Sequence, residues 1–138
     1  MIRVVIDTNV VISATLRSGG LPEAVFSLAV DRRVQLYVSE PILAEYEDVL
    51  RRPRLDIHPE KVIIALTRIG EAAISVAPTG RVTACSDPDD NIFLECAEAA
   101  QADYVVTGNT ADFPAQWAKT RVVTPRQFLE IITGGRLE

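Results

Sequence analysis

Three carboxylates from distant parts of the chain stand at positions where chemistry is expected. Asp7 follows the β-branched run 4–6, Glu45 lies beside the apolar stripe of a predicted helix, and Asp90 opens another helical run. Carboxylates that converge without cations repel one another, an arrangement that a divalent metal ion reverses. Their oxygens suit the hard ions Mg²⁺ and Mn²⁺, which can activate water, hold a phosphate and stabilise a leaving oxygen. These residues therefore predict metal-dependent hydrolysis of phosphodiesters.

Each acidic residue also has a purely structural interpretation. Asp7 is well placed to cap the helix that follows it, and Glu45 taken alone is typical of a solvated helix position. Asp87 and Asp89 lie beside a proline at a helix start, where they favour the helix dipole and are equally well placed for a supporting role in a site. The functional interpretation depends on the joint placement of these residues and not on any one of them.

The spacing around Asp90 predicts the direction of its side chain. Counted as a helical residue, Asp90 has Phe93 and Leu94 three and four positions ahead, so it faces inward. Asp89 meets a similar test through Phe93 and Cys96, and spacing alone does not choose between the two aspartates. An inward carboxylate costs several kcal/mol unless its charge is compensated. A bound cation is one such compensation.

The elements that must position these residues alternate between short strands and helices. Strands are predicted at 4–6, 35–38, 74–76, 104–106 and 121–123. Helices are predicted directly after Asp7, at 22–30, 40–52 and 59–73, from the polar cluster 86–91 to about 101, at 110–117, and from 124–125 to a glycine pair at 134–135. This alternation indicates an α/β fold with a parallel sheet covered on both faces. Asp7 and Asn109 then emerge at the carboxyl ends of strands, where such sheets bind ligands.

The composition is that of an ordinary globular protein. At 138 residues the chain has the size of one domain, so we expect a single domain over residues 1–138. Its apolar runs fall far short of the roughly 20 residues that a membrane span requires, and its N-terminus lacks the pattern of a signal peptide. We therefore expect a cytoplasmic protein with no membrane contact. Two cysteines without a neighbouring histidine indicate neither a disulfide framework nor a zinc site.

The formal net charge of −5 is unusual for an enzyme of nucleic acids, since phosphate binding draws on basic surfaces. A metal site built from carboxylates accounts for part of this excess. Arg51 and Arg52, in a dense basic cluster, and Arg17, in the loop before a glycine pair, are candidates for contacting the phosphates of a nucleic acid. Cations at a helix C-terminus also favour the dipole, which is the structural interpretation of the cluster.

Four motifs, in this order, resemble those of the PIN-domain family. They are Val-Val-Ile-Asp-Thr-Asn-Val at 4–10, Ser-Glu-Pro-Ile-Leu-Ala-Glu-Tyr at 39–46, Asp-Pro-Asp-Asp-Asn-Ile-Phe-Leu-Glu-Cys-Ala at 87–97, and Tyr-Val-Val-Thr-Gly-Asn-Thr-Ala-Asp-Phe at 104–113. More narrowly, they look like the VapC-like toxins of bacterial and archaeal toxin–antitoxin pairs. The resemblance runs from about residue 2 to about residue 130. It implies a three-layer α/β/α sandwich with a mostly parallel central sheet, and endoribonuclease activity that depends on Mg²⁺ or Mn²⁺.

The resemblance also implies roles for particular residues. The first three acidic positions of the family match Asp7, Glu45 and Asp90, which are expected to bind metal and to be catalytic. The fourth acidic position is occupied here by Asn109, which is a departure from the family pattern. Two alternatives stay open. Asp112, one helical turn on, takes over as the fourth catalytic carboxylate, or Asn109 acts through its side-chain carbonyl or a bound water.

Polar neighbours and partners follow from the same resemblance. Asn9 and Thr107 match positions that support the metal-binding carboxylates in similar proteins, and we expect Asn109, Asp87 and Asp89 to lie in the same outer ring. Family members commonly form homodimers and are inhibited by a cognate antitoxin that inserts a segment, often with an arginine, into the acidic groove. A negative toxin suits a basic antitoxin segment electrostatically. Two other functions remain open: a PIN fold that only binds, because of Asn109, and a PIN nuclease that acts on DNA.

Overall fold

A central six-stranded sheet organises the computed structural model, which describes residues 1–134. Its strands are β1 (Arg3–Ile6), β2 (Gln35–Val38), β3 (Ile74–Ser75), β4 (Tyr104–Val106), β5 (Gln116–Trp117) and β6 (Thr120–Val123). Their order across the sheet is β3-β2-β1-β4-β6-β5. Every neighbouring pair is parallel except β5 and β6, which are antiparallel. The sheet is therefore mostly parallel, as the alternating pattern predicts.

Helices begin where proline and capping residues predict them. They are α1 (Thr8–Leu16), α2 (Leu21–Val30), α3 (Glu40–Leu50), α4 (Pro59–Ala72), α5 (Asn91–Ala100) and α6 (Pro125–Ile132). Ser39 caps α3 by accepting a hydrogen bond from the Ile42 N–H at 3.4 Å. Thr124 and Gln127 form a reciprocal capping box at the start of α6. Local signals in the sequence thus set these two helix starts.

The three-layer α/β/α sandwich expected from the sequence is confirmed. Helix α5 packs on β1, β2 and β4, while α1, α2 and α6 pack in a second group. Val4, Val5 and Val105 are fully buried, which explains why these strands read as continuous apolar runs and not as alternating ones. Within residues 1–134, no helix combines the length and hydropathy that crossing a membrane requires.

Strand β1 lies where the sheet changes its direction of growth. β2 and β3 are added on one side of it, and β4 and β6 on the other. In open α/β sheets the ligand crevice forms outside the carboxyl ends of strands at such a switch point. The residues that leave β1 and β4 are Asp7 and Thr107, and the Asp7 N–H still donates to the Val106 carbonyl at 2.9 Å. The topology therefore holds these two strand ends side by side.

The helix predicted over residues 110–117 is wrong. Only Thr110–Asp112 form a single 3₁₀ turn, and the chain then becomes extended at Phe113 and enters β5. Pro114 explains the difference, because proline removes a helical hydrogen bond and biases the residue before it towards extended backbone. Helix α3 ends at Leu50, two residues before the predicted boundary. Of the glycine pair expected to close the last helix, Gly134 has a positive φ of 67°, and residue 135 lies outside the described residues.

Candidate metal centre

A cavity of about 310 Å³ opens where β1 and β4 end. It brings together all three carboxylates whose convergence the sequence predicts, along with three further aspartates. The acidic residues in its lining are Asp7, Glu45, Asp87, Asp89, Asp90 and Asp112. A larger cavity of about 590 Å³ lies beside β6 and α6. Among the described residues, Glu130 is the one carboxylate in its lining. Charge, and not size, distinguishes the smaller cavity.

Asp7 is almost completely buried, with 5% of its surface exposed. It occupies the N-cap position of α1, but its side chain makes no capping bond. Instead its Oδ2 accepts hydrogen bonds from Thr107 Oγ1 at 2.7 Å and from Asn9 Nδ2 at 3.1 Å. Burial raises the pKa of Asp7, the hydrogen bond from Thr107 and those from nearby backbone N–H groups oppose this, and the charge of Glu45 adds to it. The carboxylate is thus fixed in place but poorly compensated.

Thr107 and Asn9 connect the two strand ends on which the site is built. The buried Thr107 hydroxyl donates to Asp7 and accepts a hydrogen bond from the Asn109 N–H at 3.0 Å. Asn9 Oδ1 accepts from the Gly108 N–H at 3.1 Å, while its amide donates to Asp7. Thr107, after β4, bonds to Asp7 after β1, and Asn9, after β1, bonds to Gly108 after β4. Each side chain therefore depends on the position of the other strand end. Their positions suit the supporting role that the resemblance implies.

Helix α3 carries Glu45 to the cavity. Thr8 Oγ1 donates to Glu45 Oε2, which links the first residue of α1 to the metal-ligand candidate on α3. The next residue, Tyr46, is fully buried, and its hydroxyl donates to the Ile6 carbonyl at the end of β1. Burial raises the pKa of the Tyr46 hydroxyl well above its ordinary value, so the hydroxyl stays protonated and keeps donating. These two contacts fix α3 against the strand that ends in Asp7.

Asp90 ends a 3₁₀ turn (Pro88–Asp90) and stands at the N-terminus of α5. It is half-buried, whereas Asp89 is exposed, so the structure separates two aspartates that spacing could not. Asp87 stabilises the turn by accepting a hydrogen bond from the Asp89 N–H at 3.0 Å. Burial raises the pKa of Asp90 to about 7, with further contributions from four carboxylates. In decreasing order of effect these are Asp7, Asp87, Asp112 and Glu45.

Both alternatives for the fourth acidic position lie in the cavity lining. Asn109 Nδ2 donates to Asp112 Oδ2, so the two side chains are hydrogen-bonded to each other. The Asp112 carbonyl also accepts from the Ser86 N–H at 3.0 Å, which ties this turn to the loop that leads to Asp87. The pair therefore forms one wall of the cavity. The Asn109 side-chain carbonyl and the Asp112 carboxylate both face the same part of the site.

Comparison with known proteins agrees with this architecture. The chain matches the PIN domain family over residues 3–111, most of its length. The chain belongs to the PIN-domain family. It is also 31% identical over 111 residues to the uncharacterized protein MJ1680 of Methanocaldococcus jannaschii, and the alignment covers 78% of this chain and 71% of that protein. PIN domains usually bind divalent metal ions and are typically nucleases.

Most residues of the cavity lining lie within the matched region. The match includes Asp7, Glu45, Asp90 and Asn109 and ends one residue before Asp112. Asp112 is thus the one carboxylate of the cavity that the family match leaves out.

The donors of this PIN domain fit a hard divalent ion. The acidic lining supplies carboxylate oxygens, and the raised pKa values of Asp7 and Asp90 are those that a doubly charged cation would lower. Among residues 1–134, no three acidic, thiol or imidazole side chains already converge as a finished metal site. Two of the carboxylates are instead turned to hydrogen-bond donors of their own, Glu45 to Thr8 and Asp112 to Asn109.

The three arginines named as RNA-contacting candidates are not equivalent in the structure. Arg52 lines the cavity, and its Nη2 lies 3.2 Å from Asp48 Oδ2. Arg51 and Arg17 are exposed and are not part of the cavity lining. In the described part of the chain, Arg52 is the cation that this lining contains.

Sequence reasoning missed Thr8 and Tyr46. Thr8 stands between the two site residues Asp7 and Asn9, and a hydroxyl in that motif was itself a signal. Tyr46 fits the apolar stripe beside Glu45, a pattern that assigns no role to its hydroxyl. A buried tyrosine hydroxyl needs a partner, so its place next to Glu45 was a sign that α3 is bonded to a strand end.

Proposed function

We propose that this PIN domain, a single domain over residues 1–138, is an endoribonuclease that depends on Mg²⁺ or Mn²⁺. The observation that carries the proposal is the sharing of one cavity by Asp7, Glu45 and Asp90 at the carboxyl ends of β1 and β4. Family membership supports nuclease chemistry in general. The RNA substrate is supported by the narrower resemblance of the motifs to VapC-like toxins.

Asp7, Glu45 and Asp90 would hold the metal, with Asp112 or Asn109 completing the set. A bound ion of this kind supplies an activated water and charge stabilisation for hydrolysis of the RNA backbone. Thr107 and Asn9 orient Asp7 through hydrogen bonds to Oδ2, leaving Oδ1 out of both. Asp90, with a pKa of about 7, has to lose a proton when it becomes a ligand. Metal affinity is therefore expected to fall as the pH drops through neutrality.

The proposed biological role is that of the toxin in a toxin–antitoxin pair. Asp87 and Asp89 are exposed at the acidic cavity, which suits a basic segment of a cognate antitoxin. The net charge of −5 is compatible with such a partner. A homodimer that sets two acidic cavities side by side, and a cytoplasmic location, belong to the same proposal.

A metal titration on several nucleic acids tests the enzymatic proposal. The purified chain, stripped with a chelator, is incubated with unstructured RNA, structured RNA and single-stranded DNA while Mn²⁺ or Mg²⁺ is added back. We expect RNA cleavage that appears with the metal and disappears with the chelator. Cleavage of DNA and not RNA would replace the substrate, and tight RNA binding without cleavage would favour the alternative of a binding module. The observation behind this alternative is that Asn109, and not a carboxylate, occupies the fourth acidic position and pairs with Asp112.

The toxin role needs a cellular test. Expression of the chain is expected to arrest growth, and co-expression of a small neighbouring reading frame with a basic tail is expected to restore it. Growth arrest that persists in a variant lacking cleavage would contradict the role. Light scattering on the purified chain gives its mass in solution and decides between monomer and dimer.

A further inference from the structure

Two consecutive arginines at the end of α3 differ in their surroundings, although they match in almost every other respect. The side chains of Arg51 and Arg52 are 46% and 45% exposed. Each pairs with the acidic residue four positions earlier, Glu47 at 3.1 Å and Asp48 at 3.2 Å. Yet Arg52 lines the acidic cavity, whereas Arg51 is absent from its lining. Location is thus the main variable that separates them.

The end of α3 explains this difference. Glu45 and Val49 both line the cavity and are four residues apart, on one stripe of the helix. Arg51 is the C-cap of that helix, whereas Arg52 lies beyond it with extended backbone, φ −65° and ψ 126°. The backbone therefore changes direction between the two arginines, and Arg52 enters the cavity lining while Arg51 does not. The segment that follows α3 thus brings a guanidinium to the rim of the cavity that contains the metal-ligand candidate.

Arg52 does not neutralise the carboxylates that it stands among. In the part of the chain that the structure describes, its ion pair is with Asp48, which is not in the cavity lining, and no ion pair joins it to a cavity carboxylate. Asp48 accepts from Nη2 only, and a guanidinium has five N–H donors. The pair is exposed on both sides, and such pairs are weak and readily exchanged. Arg52 is therefore available for a second, stronger acceptor.

A phosphodiester is the acceptor that fits this place. A nucleic acid entering this cavity meets several carboxylates and is repelled unless cations line its path. Guanidinium binds phosphate oxygens in a bidentate fork, which an ammonium group does not reproduce. We infer that Arg52 binds a backbone phosphate of the RNA next to the metal-binding carboxylates and exchanges Asp48 for it, while Arg51 takes no part. This inference rests on the proposed function and names a substrate-binding residue for it.

The test compares Arg52→Gln with Arg51→Gln as a matched control. Binding of a fluorescently labelled, single-stranded RNA of mixed sequence is measured by anisotropy, with Ca²⁺ replacing Mg²⁺ to slow cleavage. We expect Arg52→Gln to weaken binding about tenfold and Arg51→Gln less than about twofold. The slope of log K against log salt should decrease by about 0.7 for Arg52→Gln alone, as for one lost contact to a single strand. Thermal unfolding of both variants checks that folding is unchanged.

Two further variants have opposite expected signs. Asp48→Asn removes the acceptor that competes with phosphate, so RNA binding should tighten, while Glu47→Gln should change nothing. Arg52→Lys keeps the charge and loses the fork, so the salt slope should stay while part of the affinity is lost. Probes with a single uncharged methylphosphonate locate the contact. A methylphosphonate at one position of the RNA should weaken binding by the parent protein. The same substitution should not weaken binding by Arg52→Gln any further.

The outcomes separate this inference from the proposed function. If the parent cleaves RNA but Arg52→Gln and Arg51→Gln bind it equally, the Arg52 contact is overturned and the nuclease stands. If the parent binds RNA through Arg52 yet never cleaves with Mn²⁺ or Mg²⁺, the contact stands and the nuclease is overturned. If the parent does not bind RNA at all, both are overturned.

Discussion

The two ends of strand β4 treat their carboxylates in opposite ways. At the amino end, Asp103 Oδ2 accepts a hydrogen bond from the Arg3 N–H at 2.8 Å, and its Oδ1 lies 3.4 Å from Lys119 Nζ. At the carboxyl end, Asp7 is buried beside Thr107 and Asn9, and Asp90 is half-buried among other carboxylates. Asp103 is thus paired with a cation, whereas Asp7 and Asp90 are surrounded by uncharged hydrogen-bond donors and by other carboxylates.

The difference separates a carboxylate that is paired with a cation from carboxylates that are not. A paired, partly exposed aspartate contributes modestly to stability, and its charge needs no further compensation. Buried carboxylates without a cation destabilise the folded state, and sites of function are where proteins commonly keep such destabilisation. The carboxylate at the amino edge of this sheet is therefore already compensated, and the carboxyl edge is the part that a ligand would complete.

The largest expected effect comes from exchanging one aspartate at each edge for its isosteric amide. Asp7→Asn should reduce metal-dependent RNA cleavage by more than about a hundredfold, because it removes a metal-binding charge from the centre of the cavity. Asp103→Asn should leave cleavage within about threefold of the parent, because it lies at the other end of the strand. Single-turnover cleavage with Mn²⁺ measures both. Equal losses in the two variants would break the distinction between the edges.

Two buried threonines offer a matched pair for the next effect. Thr107 Oγ1 donates to Asp7, while Thr120 Oγ1 donates to the Ala102 carbonyl at 2.6 Å near the amino edge. Thr107→Val should lower metal affinity about tenfold or more, since the hydrogen bond that orients Asp7 is lost. Thr120→Val should cost about 1–3 kcal/mol of unfolding free energy, since a buried carbonyl is left unpaired, and should leave metal affinity unchanged.

Calorimetric titration with Mn²⁺ and denaturant unfolding measure the two quantities separately. Thr107→Ser, which keeps the hydroxyl, should restore most of the metal affinity. Loss of affinity in Thr120→Val with an intact fold would mean that the two edges are coupled.

A third effect concerns stability and its dependence on pH. The pKa of Asp90 is raised to about 7, above its ordinary value of 3.8, so in the metal-free protein the folded state keeps this proton longer than the unfolded state does. The contribution of Asp90 to unfolding free energy therefore decreases as pH rises from near 4 to near 7. Asp90→Asn should raise the metal-free Tm at about pH 8 and change it little at about pH 4.

Thermal unfolding in chelator across that pH range checks the sign. Asp103→Asn serves as the opposite case, because it removes a favourable pair and should lower Tm at about pH 8. Added Mn²⁺ should stabilise the parent more than Asp90→Asn. If Asp90→Asn lowers Tm at about pH 8 as Asp103→Asn does, Asp90 is structural and the comparison fails.

The fold was predictable because its signals are local. Short β-branched runs and the prolines at helix starts indicated most elements. The exception is residues 110–117, where Pro114 interrupts the expected helix. The placement of Asp7 and Asn109 at one cavity also agrees with the rule that ligand crevices form at the carboxyl ends of strands. Glu45 lies in the middle of α3, and its place there was expected from the resemblance of the motifs.

Finer features of the candidate site were not predictable from spacing. The choice between Asp89 and Asp90 depends on a 3₁₀ turn that offsets the helical count. The separation of Arg51 from Arg52 depends on where α3 ends and the backbone becomes extended. The bond between Thr8 and Glu45 joins residues that are 37 positions apart. Such contacts depend on packing between elements, which periodicity within one element does not report.

The smallest expected effect lies in the ion pair at the amino edge. Lys119 and Asp103 are 53% and 37% exposed, so solvent screens their attraction, and Lys119→Met should cost less than about 1 kcal/mol of unfolding free energy. That cost should shrink further in high salt, and RNA cleavage should not change. Denaturant unfolding at two salt concentrations, with cleavage measured alongside, gives both numbers. A substantial loss of cleavage in this variant would show that the paired edge also sets the geometry of the acidic one, because no charge of the cavity has been altered.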